Sequence, residues 1–255
     1  MKNQNFESTD KIYGRNPVIE ALTSNRTVDR IYIQEHLNHS LIGQIRNLAK
    51  ERGVQYVFVD RRKLDKLSGG GNHQGVVASV AAHAYVSVEE ILGKAESKGE
   101  PPFVVICEGI TDPHNLGSII RTANAAGAHG VIIPKNRSVA LTSTVAKVSA
   151  GALEHTYVAK VSNIASTLEK LKKAGLWIVG TDLTALQSHY DCDLKGSLGI
   201  VIGSEGSGMS PIVRRSCDFL VKIPMLGEAE SLNASVATGV LLYEAVRQRG
   251  ETKQP

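Results

Sequence analysis

Apolar residues recur along this chain in short runs separated by longer amphipathic stretches, a pattern typical of strands that alternate with helices. In the first third of the chain this pattern predicts a compact α/β module. Its predicted helices are 17–23, 41–52 and 63–67, and its predicted strands are 30–34, 55–59 and 75–81.

The same alternation continues from residue 103 with more regular spacing. The predicted strands are 103–107, 130–133, 155–159, 176–180, 198–202 and 219–223. The predicted helices are 116–126, 143–151, 164–174, 211–217 and 234–249. Strands and helices in this order indicate a mostly parallel sheet with helices on both faces.

A change of composition separates the two parts. Residues 85–102 are mixed and charged, and they end in Gly99-Glu100-Pro101-Pro102, a sequence typical of a domain boundary. We therefore predict a first domain over 1–84, a linker over 85–102 and a second domain over 103–255.

Three short polar blocks follow apolar runs in the second part: Asn115–Arg121, Gly203–Gly208 and Ser231–Ser235. Each block leads toward a predicted helix, which places all three at the carboxyl ends of strands. Ligands of open α/β sheets collect at that edge. The sequence therefore predicts one composite site built from the three blocks.

Taken singly, each block also has a simpler structural interpretation. Asn115, Ser231 and Asn233 are all good helix N-caps, and Gly203–Gly208 could be a plain strand-to-helix turn. Arg121 could be an ordinary surface side chain or a bidentate clamp for a phosphate. The glycines follow the order G-x-x-G-x-G with an acid inside the turn, which disfavours a pyrophosphate cradle.

Composition is ordinary for a globular protein, with 42% hydrophobic and 21% charged residues. The net charge of +4 is unevenly distributed, because residues 1–84 hold 12 Lys and Arg against 8 Asp and Glu, whereas the remainder holds 17 of each. The first domain could therefore attract a polyanion, or its lysines and arginines could simply be solvated.

Other compositional features exclude several classes of protein. Cys107, Cys192 and Cys217 lack any C-x-x-C spacing, so we expect reduced thiols, and we expect no metal site because no Cys/His cluster is present. No apolar run is long enough for a membrane span. We expect a cytoplasmic protein without a membrane partner.

The three blocks in this order resemble the SpoU (TrmH-like) family of SPOUT RNA ribose 2′-O-methyltransferases. The family's three motifs are matched by NLGSIIRTANAAG at 115–127, IVIGSEGSGM at 200–209 and IPMLGEAESLNASVATG at 223–239. The segments YGRNPV at 13–18 and HQGVVA at 73–78 are similar to the ribosomal-L30e-like substrate-binding domain found in part of this family.

The resemblance implies an L30e-like first domain and a SPOUT second domain with a deep trefoil knot near its carboxyl end, and it implies S-adenosylmethionine as cofactor. The residues that it assigns to cofactor binding are Gly203, Ile223, Leu232 and Thr181. It further implies a homodimer with active sites at the subunit interface. The residues that it assigns to catalysis are Arg121, Asn115, Glu205, Ser231 and Asn233.

The resemblance also implies a substrate, a guanosine ribose of 23S ribosomal RNA, and no DNA partner. Two alternatives within RNA biology stay open, a tRNA ribose methyltransferase and a non-catalytic RNA-binding or ribosome-assembly protein. A nucleotide-dependent oxidoreductase is a more distant alternative, because the chain lacks a G-x-G-x-x-G fingerprint after its first strand.

Overall fold

The computed structural model of the protein describes residues 11–24, 26–37 and 39–251. They fall into two compact units. The first comprises the described residues up to Ala84 together with Ala140–Thr144, and the second comprises the other described residues. Within the described ranges, no helix has the length and apolar character needed to cross a bilayer.

The described residues of the first unit form a four-stranded sheet with three helices. Its strands are β1 (Lys11–Tyr13), β2 (Val28–Gln34), β3 (Gln55–Val59) and β4 (Val76–Val80). Its helices are α1 (Arg15–Thr23), α2 (Ser40–Glu51) and α3 (Arg61–Leu67). The strand order is β1-β4-β2-β3, with β2 parallel to β3 and antiparallel to β4. The pattern did not predict β1, because three residues are too few to show a period.

The HQG segment of the first unit forms a rigid turn into β4. The Nδ1 atom of His73 accepts a hydrogen bond from the amide of Gly75 at 2.9 Å, which leaves Nε2 to donate to Asp65 at 3.0 Å. Gly75 has φ +83, and a Cβ there would lie 2.2 Å from Leu37. His73 and Gly75 therefore hold the turn in place.

Beyond residue 84 the chain forms a seven-stranded sheet with helices between the strands. The strands are β5 (Phe103–Cys107), β6 (Gly130–Pro134), β7 (Tyr157–Val161), β8 (Trp177–Thr181), β9 (Gln187–Ser188), β10 (Leu198–Ile202) and β11 (Phe219–Lys222). The helices are α4 (Val88–Ser97), α5 (Pro113–Ala125), α6 (Ser143–Val148), α7 (Ile164–Lys173), α8 (Pro211–Ser216) and α9 (Ala234–Glu251).

The strand order of this sheet is β7-β6-β5-β10-β8-β11-β9, and every pairing between these strands is parallel. One core packs α4, α7 and α8 against alternate strand residues such as Val104 and Ile106. Helices α5 and α9 pack against each other, and their buried side chains include Leu116 and Leu241. The predicted α/β class with a mostly parallel sheet is confirmed.

The predicted linker is not an open connection. Residues 88–97 form α4, which begins at a capping box between Ser87 and Glu90. Ile91 and Ala95 of this helix are fully buried, and Ile91 belongs to the same core as Val104. The many charges of this segment lie on the exposed face of a short helix. They outnumber its few apolar positions, so the sequence pattern did not indicate a helix.

The carboxyl end of α9 is fastened to the loop before β10. The side chain of Gln248 accepts a hydrogen bond from the Leu194 amide at 2.9 Å and donates one to the Cys192 carbonyl at 3.1 Å. The Arg249 guanidinium donates to the Gly196 carbonyl and lies 4.3 Å from the centre of the Phe103 ring. The trefoil knot itself stays a prediction from the resemblance.

Acid should weaken this part of the fold through Glu244. Hydrogen bonds, first from Arg247 and then from Gln248, lower the pKa of Glu244 to about 2 from an ordinary value of 4.5. Because the pKa is lower in the folded state, the carboxylate stabilises the fold above about pH 4.5, and this contribution is lost as the pH falls toward 2.

We predict that Glu244→Gln lowers the urea midpoint at neutral pH and leaves it close to that of the wild type near pH 2. Glu228→Gln, at an exposed loop position, is the matched control and should follow the wild-type curve at every pH. A constant difference between Glu244→Gln and wild type across this pH range would contradict the linkage.

Candidate active site

A cleft opens at the carboxyl ends of three neighbouring strands, β10, β8 and β11. Its volume is about 260 Å³. Its walls include apolar side chains from the strand ends and from the loops that follow them, among them Ile202, Met209, Val221, Ile223 and Leu232. The cleft lies beside the switch of strand order between β5 and β10, where doubly wound sheets bind ligands.

Six of the predicted site residues line this one cleft. They are Thr181, Gly203, Glu205, Ile223, Ser231 and Leu232. They come from positions up to 51 residues apart in the chain, from Thr181 to Leu232. The structure thus brings the second and third polar blocks together at one sheet edge.

Glu205 ties the three polar blocks to one another. Its Oε1 atom accepts hydrogen bonds from the side-chain amide of Asn115 at 3.0 Å, from that of Asn233 at 2.5 Å and from the backbone amide of Ala234 at 3.2 Å. The Asn233 amide also donates to Oδ1 of Asn115 at 2.9 Å. The carboxylate therefore sits at the amino end of α9, where partial positive charge stabilises an anion.

Of the two caps that the sequence offered for α9, Ser231 and Asn233, it is Asn233 that accepts from the first amides of the helix. Its Oδ1 atom accepts hydrogen bonds from the amides of Ser235 at 2.9 Å and Val236 at 3.3 Å. The prediction that Asn115 caps its own helix was wrong. Asp112 caps α5 instead, accepting from the amide of His114 at 2.9 Å, so that Asn115 lies inside the first turn with its side chain directed to Glu205.

Arg121 does not join the cleft of its own chain. It lies on α5 six residues after Asn115, which places the two side chains about 120° apart around the helix. Arg121 is exposed and shares a helix face with Gly117, which packs against Val148 of α6. The arginine is therefore presented on a different surface from the Glu205 network.

Two glycines allow close packing at and beside the cleft. A Cβ on Gly203 would lie 2.4 Å from the carbonyl carbon of Gly208, because Ser204 and Gly208 close the loop with backbone hydrogen bonds of 3.0 and 3.1 Å. A Cβ on Gly180 would lie 2.7 Å from both Cys217 and Met209. The backbone contacts leave no room for a side chain at residue 203, whereas a side chain at residue 180 would require Cys217 and Met209 to shift.

Sequence reasoning missed two acidic residues that position the cleft loops. Asp182 follows β8 and lines the cleft. Burial acts to raise its pKa, but hydrogen bonds from Thr184 and Arg214 outweigh that effect and lower the pKa. The loop after β8 is thereby joined to α8. The sequence feature that could have identified Asp182 is its position immediately after an apolar strand.

The second missed acid is Glu108, directly after β5. Its two carboxylate oxygens accept hydrogen bonds from Ser210, one from the hydroxyl at 2.6 Å and one from the amide at 3.0 Å. Ser210 precedes α8, so Glu108 holds the end of the Gly203–Gly208 loop segment against the end of β5. Its position at a strand end is the same signal that marked the three blocks.

Two cysteine thiols, those of Cys107 and Cys217, lie outside this network. Burial raises the pKa of the Cys107 and Cys217 thiols to about 12, which keeps both protonated and unreactive. Within the described part of the chain, no group of three or more His, Cys, Asp or Glu side chains could hold a metal ion.

The cleft therefore combines apolar walls with main-chain N–H and C=O groups of two glycine-containing loops and with two carboxylates. Apolar walls suit a flat aromatic base, loop backbone suits the polar edge of that base, and carboxylates suit hydroxyl or cationic groups. An α/β protein with this site belongs to the class that binds a nucleoside-containing small molecule at a sheet edge.

Two family models match the chain in succession. Residues 102–243 match the SpoU rRNA Methylase family, and residues 11–86 match the model described as RNA 2′-O ribose methyltransferase substrate binding. The chain belongs to the SpoU rRNA methylase family, and the recognition made from the three motifs is confirmed.

Known relatives align over nearly the whole chain. YacO of Bacillus subtilis, named as a TrmH family tRNA/rRNA methyltransferase, is 49% identical over 240 residues, which cover 94% of this chain and 96% of YacO. A relative of the same family name from Staphylococcus epidermidis is 46% identical, over 95% of this chain and 97% of its own length.

A solved structure of similar fold is the SpoU methyltransferase AviRb from Streptomyces viridochromogenes in complex with the cofactor AdoMet. It is 28% identical with a TM-score of 0.59, and the match covers 94% of this chain and 90% of AviRb. An AdoMet-bound rRNA methyltransferase from Sinorhizobium meliloti shares the fold at 24% identity, with a TM-score of 0.57 over 93% of this chain and 86% of that protein.

Proposed function

We propose that this protein transfers a methyl group from S-adenosylmethionine to a ribose 2′-hydroxyl of structured RNA. The observation that carries the proposal is the Glu205 network, which joins all three family motifs beside a cleft suited to a nucleoside. Family membership supplies the reaction class, and the cleft supplies a place for the methyl donor in this chain.

The chemistry of the cleft fits this cofactor. Apolar side chains such as Ile223 and Leu232 would cover the faces of the adenine, and the backbone around Gly203 would meet its polar edge. Asp182 and Glu205, the two carboxylates of the lining, would suit the hydroxyls and the positive charges of S-adenosylmethionine. Thr181 and Ser231 add hydroxyls at the rim of the same cleft.

The bound cofactor supplies a sulfonium methyl group that is already activated toward in-line attack. The protein has to orient the ribose 2′-hydroxyl, exclude water and accept one proton. Glu205 is a candidate for the last task, because its three hydrogen bonds all end on Oε1 and Oε2 takes part in none of them. Proton transfer goes either to Oε2 of Glu205 or to a phosphate oxygen of the RNA.

Glu205→Gln separates proton transfer from loop support. The amide oxygen of Gln can accept the same hydrogen bonds as Oε1, so we expect cofactor affinity to be retained while kcat falls by about 100-fold or more. Glu205→Ala should lose cofactor affinity as well, because the three blocks lose their common partner. Turnover and calorimetric binding of S-adenosylmethionine are the measurements.

Near-normal turnover of Glu205→Gln would show that the RNA phosphate, and not this carboxylate, takes the proton. Glu96→Gln, at an exposed position of α4 outside the cleft and outside the Glu205 hydrogen bonds, is the matched control and should leave both quantities unchanged.

We further propose that Arg121 acts on the substrate bound at a second copy of the chain. It is exposed and lies about 120° around α5 from Asn115, so it is poorly placed for its own cleft. In a homodimer with two-fold symmetry it could reach the partner's ribose or the adjacent phosphate. A guanidinium stays protonated at physiological pH, which suits a phosphate clamp that also stabilises the developing alkoxide and does not suit a base.

Mixing two inactive variants tests this arrangement. Arg121→Ala and Glu205→Ala should each be inactive alone, whereas a mixture that exchanges subunits should regain about one quarter of wild-type activity. Each mixed dimer then contains one intact site, built from the cleft of one chain and the arginine of the other. No recovery after verified subunit exchange would place Arg121 in the cleft of its own chain.

The clamp itself is tested by Arg121→Lys. A lysine keeps the charge but loses the bidentate fork, so we expect kcat to fall by about 100-fold. Near-normal turnover of this variant would show that Arg121 does not act as a bidentate clamp.

For the substrate we propose a guanosine of 23S ribosomal RNA, from the resemblance of the first domain. The names of the relatives include both tRNA and rRNA, so a tRNA ribose is the competing candidate. We expect mapping of 2′-O-methylated positions in total RNA to find one missing methyl group when the protein is removed from cells. A missing position in tRNA would redirect the assignment.

Calorimetry with the purified protein separates the remaining alternatives. Uptake of S-adenosylmethionine without NAD supports the methyltransferase, and the reverse would support an oxidoreductase. Cofactor uptake without methyl transfer to deproteinised ribosomal or transfer RNA would favour a non-catalytic RNA-binding protein. We expect the protein to act on RNA in the cytoplasm.

A further inference from the structure

The first unit carries an exposed row of basic and aromatic side chains where α2 meets the edge strand β3. The guanidinium carbon of Arg46 lies 5.8 Å from the centre of the Tyr56 ring and 5.9 Å from that of Phe58. The two rings stand edge to face with their centres 5.8 Å apart. Phe58 is 50% exposed, although such a ring is usually buried.

Lys50 extends this row by one turn of α2. It is exposed, and it lines a shallow hollow together with Gln55, Tyr56 and Val57 of β3. Lys50 and Arg46 lie four residues apart, so they share a helix face with about 6 Å between them along its axis. Gly43, one turn before Arg46, has open space where a side chain would stand.

The row is accessible to solvent because β3 is an edge strand of the sheet in this unit. In the order β1-β4-β2-β3, only one edge of β3 is paired among the described strands. Val57, on the other face of the strand, is 38% exposed. The strand therefore offers two apolar side chains and a free backbone edge, with positive charge above one face.

We propose that this α2–β3 row binds a single-stranded segment of the RNA substrate, with one base stacked on Phe58 and the flanking phosphates held by Arg46 and Lys50. The inference deepens the proposed function and rests on it. An aromatic face beside two basic side chains is the combination that single-stranded nucleic acid requires, since every base offers a π face and every nucleotide a phosphate.

Charge favours RNA over a protein as the occupant. The exposed apolar surface of the row is limited to Phe58 and Val57, and its other exposed side chains include Arg46 and Lys50. The excess positive charge of the chain also lies within residues 1–84, which hold 12 basic and 8 acidic residues. An edge built for pairing with another protein strand would be flatter and less basic.

The test uses the full-length protein and a short fluorescent single-stranded RNA of mixed sequence, with the same RNA annealed into a duplex as comparison. Phe58→Leu keeps the apolar bulk but removes the aromatic face, so we expect affinity for the single strand to fall by about 5- to 100-fold. Phe58→Tyr keeps an aromatic face and should bind the single strand as the wild type does. The duplex should be affected less, because its bases are already stacked on one another.

Salt dependence tests the phosphate contacts. Arg46→Gln and Lys50→Gln should each reduce the slope of log affinity against log salt by about 0.7. Two controls in the second unit match these variants: Phe219→Leu changes an exposed aromatic ring on β11, and Lys173→Gln removes one exposed charge from the end of α7. Both controls should bind RNA within about twofold of wild type and keep its salt slope.

Unchanged RNA affinity in both Phe58→Leu and the Arg46→Gln/Lys50→Gln double variant would overturn the inference. The same holds if Phe58→Leu alters self-association in sedimentation and leaves RNA affinity intact, since the edge would then be a protein contact. S-adenosylmethionine affinity should stay at the wild-type value in every variant. Failure of the wild-type protein to bind the cofactor would instead refute the proposed function.

Discussion

The active part of this molecule depends on one carboxylate oxygen. Oε1 of Glu205 accepts from Asn115 on α5, from Asn233 at the cap of α9 and from the amide of Ala234. Asn115 and Asn233 alone are separated by 118 residues in sequence. One acceptor satisfies three donors, so these hydrogen bonds hold the loop after β10 and the loop before α9 in one arrangement. That arrangement defines the cleft between the two loops.

Much of this arrangement could be predicted from the residues. The apolar runs at β5, β8 and β10 fall within one residue of their predicted ranges, and polar residues directly after strands indicated the sheet edge that holds the cleft. Buried parallel strands produce such continuous apolar runs, which are the clearest signal in a sequence. Asn233 as a cap followed from the same local chemistry.

The remainder depends on tertiary contacts that leave no local pattern. Asp112 and Asn115 are both good caps, and only the distant Glu205 decides that Asn115 turns away from its own helix. The α4 segment looked like a linker because most of its surface is charged, yet Ile91 fills the core beneath β5 and β6. Glu108 and Asp182 follow strands as the three blocks do, but no local pattern indicates their pairing with Ser210 and Arg214, which lie far along the chain.

The order in which the cleft residues occur along the chain affects how the protein is made. The cleft lining runs from Thr181 to Ala237, and its central acceptor also needs Asn115. Translation proceeds from the amino terminus, and domains generally fold as units in that order. A nascent chain on the ribosome therefore has no complete cofactor site until α9 has begun to emerge, so the growing polypeptide cannot gain stability from ligand until most of it has been synthesised.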